Sequence, residues 1–167
     1  MTGQMEKEIV AKAKLEKTVS MYQLRSMLCN AFEGGVGYWC AVDSYIFADG
    51  IKYDDFKMEG KFNSKEDYFH PTEIIPTIDG CGVKLVVTEG VSAKFKNEWE
   101  PSKADKERFY SDDCNYVILT KEKLLKGIQL MAEKETRHFN DWMEQNDDAT
   151  TGDVLLQLAL FGEIVFG

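Results

Sequence analysis

The chain has 167 residues, of which 44% are hydrophobic and 12% aromatic, enough to bury one sizeable core, and it carries a net charge of −9. That charge excludes a general nucleic-acid binder, whose affinity rests on summed basic charge, and leaves room only for a local basic pocket that takes a small anion. DNA mimicry is another use of acidity, but negative charge on a solvated surface serves solubility first.

Met1 to Val10 is polar, with no apolar stretch of signal-peptide length, and no later run is long enough to span a membrane, so a soluble cytosolic protein is expected. Cys29, Cys40, Cys81 and Cys114 are dispersed with no CxxC pair, which suits small buried side chains in a reducing cytoplasm better than a zinc knuckle or disulfide framework. From Ile9 to Val19 the pattern alternates in part, with Ala11, Ala13 and Leu15 opposite Lys12, Lys14 and Glu16. That is the pattern of a half-exposed strand, with an early helix as the competing reading. Ser20 then fits an N-cap with Gln23 completing a capping box, and Leu24, Met27, Leu28, Ala31 and Phe32 run down one helical face until Gly34-Gly35 stops it. Tyr38 to Phe47 reads as a strand, which would turn the rings of Tyr38 and Trp39 to opposite sides.

Residues 48–80 hold charges, glycines and two of the three prolines, the composition of a long loop or insertion, with His70 extended ahead of Pro71. Val83 to Thr88 and Asn115 to Thr120 are strands, separated by a lysine-rich and acidic stretch, 94–113, expected on the surface. Thr120 caps a helix whose apolar stripe is Leu124, Leu125, Ile128 and Met131, and a second helical stretch follows through His138, Phe139, Trp142 and Met143. Asp153 to Phe161 is a strongly apolar helix closed by Gly162. The end, Ile164-Val165-Phe166-Gly167, is too apolar for a free tail and should pack on its own sheet or on a neighbour. The order of elements predicts a single α+β domain over 1–167, a small antiparallel sheet against three to four helices, and the apolar end points to a homo-oligomer.

Everything turns on Glu33-Gly34-Gly35-Val36-Gly37-Tyr38-Trp39, where bare backbone delivers two large rings; it suits either a packed joint or a platform on which a base stacks. It is neither a phosphate loop nor a dinucleotide fingerprint, since no Lys-Ser or Lys-Thr follows and the third glycine is missing. His70 and His138 stand apart from any second ligand at a metal spacing, so no metal site and no cofactor are expected. His138 fits a surface or partly buried helix position, and Asp147, Asp148 and Asp153 suit helix capping better than a calcium loop. No nucleophile elbow or Cys/His pair is recognisable, so no catalytic residue is assigned and an enzyme is the minority reading. For binding, Tyr38 or Trp39 would stack a base, with Trp39 as plain core the competing reading, and Arg25, Lys84 and Arg137 would meet phosphates.

Two ends of the chain carry a resemblance. Asn30-Ala31-Phe32-Glu33-Gly34-Gly35-Val36-Gly37-Tyr38-Trp39, together with Asp147-Asp148-Ala149-Thr150-Thr151-Gly152-Asp153-Val154-Leu155-Leu156-Gln157 and Phe161-Gly162-Glu163-Ile164-Val165-Phe166-Gly167, resembles the paired motifs of a family of small proteins of tailed bacteriophages. Leu124-Leu125-Lys126-Gly127 and His138-Phe139 fit as well, so about two thirds of the chain is covered, while 48–80 and 94–113 match nothing. Some of these proteins are similar to anti-CBASS sponges, oligomers that sequester cyclic dinucleotide signals such as 3′,3′-cyclic GMP-AMP without cleaving them. The resemblance implies a cyclic-nucleotide partner, no DNA, RNA or membrane partner, and a site of action in the cytoplasm of the infected host; a phosphodiesterase is the enzymatic fallback. The alternative from another class is an acidic protein that blocks a host enzyme by contact, through 48–80 or 94–113.

Overall fold

The computed structural model describes residues 17–56, 69–88 and 96–167. The suggested strand over Ile9–Val19 lies almost wholly outside them. The fold is α+β: a three-stranded antiparallel sheet, β1 (Cys40–Ile46), β2 (Gly82–Val87) and β3 (Asn115–Thr120), in the order β1-β2-β3 with helices packed against it. β2 is central because Val83, Leu85 and Val87 supply one apolar face, which joins the main core, while Val86 on the other face is also buried. β1 carries a bulge between Val42 and Ser44, where Asp43 accepts a hydrogen bond from the Tyr110 hydroxyl.

The core helix α1 (Met21–Asn30) starts at the expected capping box: Ser20 Oγ accepts from Gln23 N–H at 3.1 Å and Gln23 Oε1 accepts from Ser20 N–H at 2.9 Å. It then widens into one π-helical turn, Ala31–Gly35, closed by the Val36 N–H on the Ala31 carbonyl at 3.0 Å. A short α2 (Pro71–Ile74) runs into a 3₁₀ turn, Ile75–Thr77, and α3 is Lys103–Phe109. Three helices complete the layer: α4 (Lys121–Lys134), capped by Thr120, α5 (Thr136–Met143) and α6 (Ala149–Phe161). Buried on almost every side, α6 is the hub of the core and ends at Gly162 with φ 72°, a left-handed closure that glycine adopts without strain.

Several expectations are corrected. The described part of 48–80 is no plain loop: Ile75 is fully buried, and Pro71, Thr72 and Glu73 are buried with it, because Pro71 starts a helix turn whose capping box is His70 with Glu73. His70 is extended, φ −66° and ψ 148°, as its place before proline requires. The stretch 94–113 contains α3 and also covers the second face of the sheet, for Trp99 Nε1 donates to the carbonyls of Leu85 and Val117, each at 3.1 Å, and its ring meets Tyr116 edge-on. Leu125 is 53% exposed, so the stripe on α4 narrows to Leu124, Met131 and half-buried Ile128. The strand begins at Cys40, not Tyr38, and α6 begins four residues ahead of Asp153. Only Cys40 and Cys81 are buried, while Cys29 and Cys114 are half-buried.

Candidate functional site

The glycine turn has two sides with different chemistry. Its inner side is a packed joint with α6. A Cβ on Gly35 would stand 2.4 Å from the Ala149 carbonyl oxygen, and one on Gly152 would stand 2.6 Å from the Ala31 nitrogen, so each element needs a bare backbone where the other touches it. Trp39, wholly buried, stacks on Phe166 at 5.1 Å and leans on Phe161 at 5.6 Å. Its Nε1 donates to Asp153 Oδ1 at 2.8 Å, and the hydroxyl of exposed Tyr38 donates to Asp153 Oδ2 at 2.7 Å. The rings do leave the backbone toward solvent and core, yet both return to one carboxylate.

Gln157 closes the network. Its Nε2 donates to Asp153 Oδ1 at 2.9 Å and to the Phe166 carbonyl at 3.0 Å, while its Oε1 accepts from the N–H groups of Val165 and Phe166 at 2.7 and 2.8 Å. A glutamine offers two amide hydrogens and one carbonyl oxygen, and here all are used in a residue 1% exposed. The end of the chain thus packs on α6 and Trp39 of the same chain and not on its own sheet, and it leaves Ile164 exposed. Of the three acids read as caps, Asp148 is one, accepting from Thr151 N–H at 3.0 Å. Asp147 accepts from Asn30 Nδ2 at 2.7 Å and Asp153 serves the joint.

On its outer side the turn opens into a hollow of about 300 Å³, walled by Phe32, Val36, Gly37, Cys40 and Val42 and rimmed by Glu33, His70, Thr72 and Glu73. Gly37 has open space where a side chain would be, so main chain faces the hollow directly. At its acidic end the ligating atoms of Cys29 (α1), Glu33 (π-helical turn) and Glu73 (α2) all lie within 4.8 Å of one another. Glu73 is 3% exposed, and burial raises its pKa against the opposing pull of the His70 N–H, which donates to its Oε2 at 2.6 Å. Burial first, then the charge of Glu73 and hydrogen bonding to Glu33, pushes the Cys29 thiol up to about 12. The imidazole of His70 is held by its Nδ1, which accepts from Thr72 N–H at 3.2 Å and lies 3.0 Å from the Thr72 hydroxyl.

No family model, curated protein or solved structure matches this chain.

The five residues expected to bind a ligand are not brought together. Trp39 is joint, with one face on Phe166 and no exposed surface, so it offers no platform to a base. Tyr38 is 51% exposed, beside the hollow in sequence but tied to Asp153. Arg25 is half-buried with its Nε donating to Thr77 Oγ1 at 3.1 Å, one helical turn before Cys29. Lys84 lies over the Trp99 ring at 5.5 Å on the far face of the sheet, and Arg137 is exposed on α5. Cys29, Glu33 and Glu73 were not picked out in the sequence. Cys29 and Glu33 stand four apart at the end of a predicted helix, a visible signal, but nothing local in the sequence joins Glu73 to them.

Proposed function

We propose that this protein acts by binding a small ligand in the hollow beside the glycine turn, and that the ligand is a cyclic nucleotide immune signal, sequestered without cleavage by a phage anti-defence protein. The observation that carries the reading is the hollow itself: apolar walls from Val36 and Val42, a ring from Phe32, and uncovered main chain at Gly37. Such a slot suits a flat heteroaromatic base, and its volume takes one base with its sugar while the phosphates stay in solvent, away from Glu33 and Glu73. The likeness of its two end motifs to small tailed-phage proteins supports the biological setting, and the structure packs those motifs against each other at the joint.

The test is calorimetric titration of the pure chain with 3′,3′-cyclic GMP-AMP and a panel of other cyclic and linear nucleotides. Saturable binding, a raised melting temperature and ligand recovered unchanged after heating are expected. Gly37→Trp, placed in open space, should weaken binding at least tenfold without lowering the melting temperature. No heat from any nucleotide overturns the reading, a cleaved product moves it to a phosphodiesterase, and binding indifferent to Gly37→Trp puts the site elsewhere. A second reading, a protein that blocks a host enzyme by contact, is favoured by the exposed run Ala41-Val42-Asp43 on the edge strand β1. It takes over if the panel is silent.

A further inference from the structure

We propose that Cys29, Glu33 and Glu73 form a binding site for a divalent cation of the zinc class at the acidic end of the hollow, with a coordination position open to the cavity. Three observations carry it. The donors are mixed, one sulfur and two carboxylates: Cys29 and Glu33 stand four apart where α1 runs into the π-helical turn, and α2 brings Glu73 to them from a stretch distant in sequence, so the set is completed by the tertiary fold. They are within 4.8 Å of one another, whereas donors about 2.0–2.3 Å from one zinc stand roughly 3–4 Å apart, so rotamer adjustments of about 1 Å close the set. Finally, Glu33 and Glu73 also line a cavity of about 300 Å³, which leaves space for water or a ligand atom as the remaining coordination partner.

The charge around the site agrees. Two carboxylates, one of them 3% exposed, sit side by side, and the guanidinium one turn away on α1, Arg25, directs its Nε to Thr77. A divalent ion would balance both acids and hold the thiol as thiolate. Sulfur with two carboxylates favours zinc or cobalt over magnesium or calcium, which take oxygen donors. The second carboxylate oxygen of Glu73 accepts the His70 N–H, so the ligand is oriented by the capping box that starts α2.

The inference stands apart from the nucleotide reading, and the metal alone tests it. Chain stripped with chelator and titrated with Zn²⁺ should take up one equivalent with a raised melting temperature, and Co²⁺ in its place should give a sulfur-to-metal charge-transfer band in the near ultraviolet. Cys29→Ser should abolish the band, Glu73→Gln should weaken Zn²⁺ binding at least tenfold, and Cys114→Ala should leave both unchanged. Melting curves in chelator verify that each variant is folded; Glu33→Gln, on the exposed rim, serves as the second acid variant should Glu73→Gln fail to fold. Absence of stoichiometric uptake, or a cobalt band that survives Cys29→Ser, overturns the site. A silent nucleotide panel with intact Zn²⁺ binding defeats only the nucleotide reading.

Discussion

The two sides of the glycine turn use the same backbone for opposite ends. On the inner side the polar side chains are joined in one network: the indole N–H and the tyrosine hydroxyl meet the two oxygens of Asp153, and Gln157 fastens the last residues of the chain. On the outer side two acids and a thiol crowd together beside open space. A satisfied network holds shape, because breaking it leaves buried groups unpaired; a crowded acidic set gains only when something else arrives. Substitutions on the two sides should therefore separate stability from binding.

The largest effect is expected from Trp39→Ala, which removes the ring stacked between α6 and the end of the chain. Denaturant unfolding should show a loss of about 3–5 kcal/mol, or no folded protein. Gly35→Ala and Gly152→Ala come next. Each pushes a methyl group against backbone, which cannot yield as a flexible side chain would, and each should cost about 1–3 kcal/mol by the same measurement. Asp153→Ala strands the buried Trp39 N–H and should also cost about 1–3 kcal/mol, whereas Asp153→Asn keeps an acceptor for it and should cost less. If Trp39→Ala, Gly35→Ala, Gly152→Ala and Asp153→Ala all leave stability unchanged, the inner side is no joint.

Much of this joint was legible in the chain. The capping box at Ser20, the apolar face of α1, the strand at Asn115 and the closing glycine at 162 are local signals, each set by neighbours two to four residues away, and each stands where the chain predicts it. The partnership of Trp39 with Asp153 and Phe166 was not legible, since hydrogen bonds across more than a hundred residues leave no periodic trace. Nor was the cover that Trp99 and Tyr110 give the sheet, as 94–113 reads by composition as surface. The site is the least legible part: a sequence shows aromatics and cations by type but not by place, and the fold sends Lys84, Arg25 and Arg137 to different places. The acidic set needed Glu73 to be brought in by α2, which lies in a stretch that reads as loop.

On the outer side, Glu33→Gln should shift unfolding stability by no more than about 0.5 kcal/mol, because an exposed side chain whose charge faces another acid has little to lose. Here a loss as large as that of Asp153→Ala would erase the distinction between the two sides, making the acidic set part of the scaffold.

The finest test concerns Asp148, whose carboxylate caps α6 where that helix meets the turn. Its pKa is held below the ordinary 3.8, first by the Thr151 N–H and further by the Thr151 hydroxyl. The native state therefore binds fewer protons than the unfolded chain just below that value, and stability rises with pH across this window. The cap's electrostatic contribution is complete above the unfolded pKa and is lost as pH falls through the folded one. Asp148→Asn preserves an acceptor of nearly equal capping strength, so at neutral pH the two proteins should differ by only a few tenths of a kcal/mol. Melting temperatures followed into acid should converge, the wild type descending more steeply below the ordinary carboxylate pKa; parallel curves would mean that the charge at the start of α6 does not help hold it against Gly35.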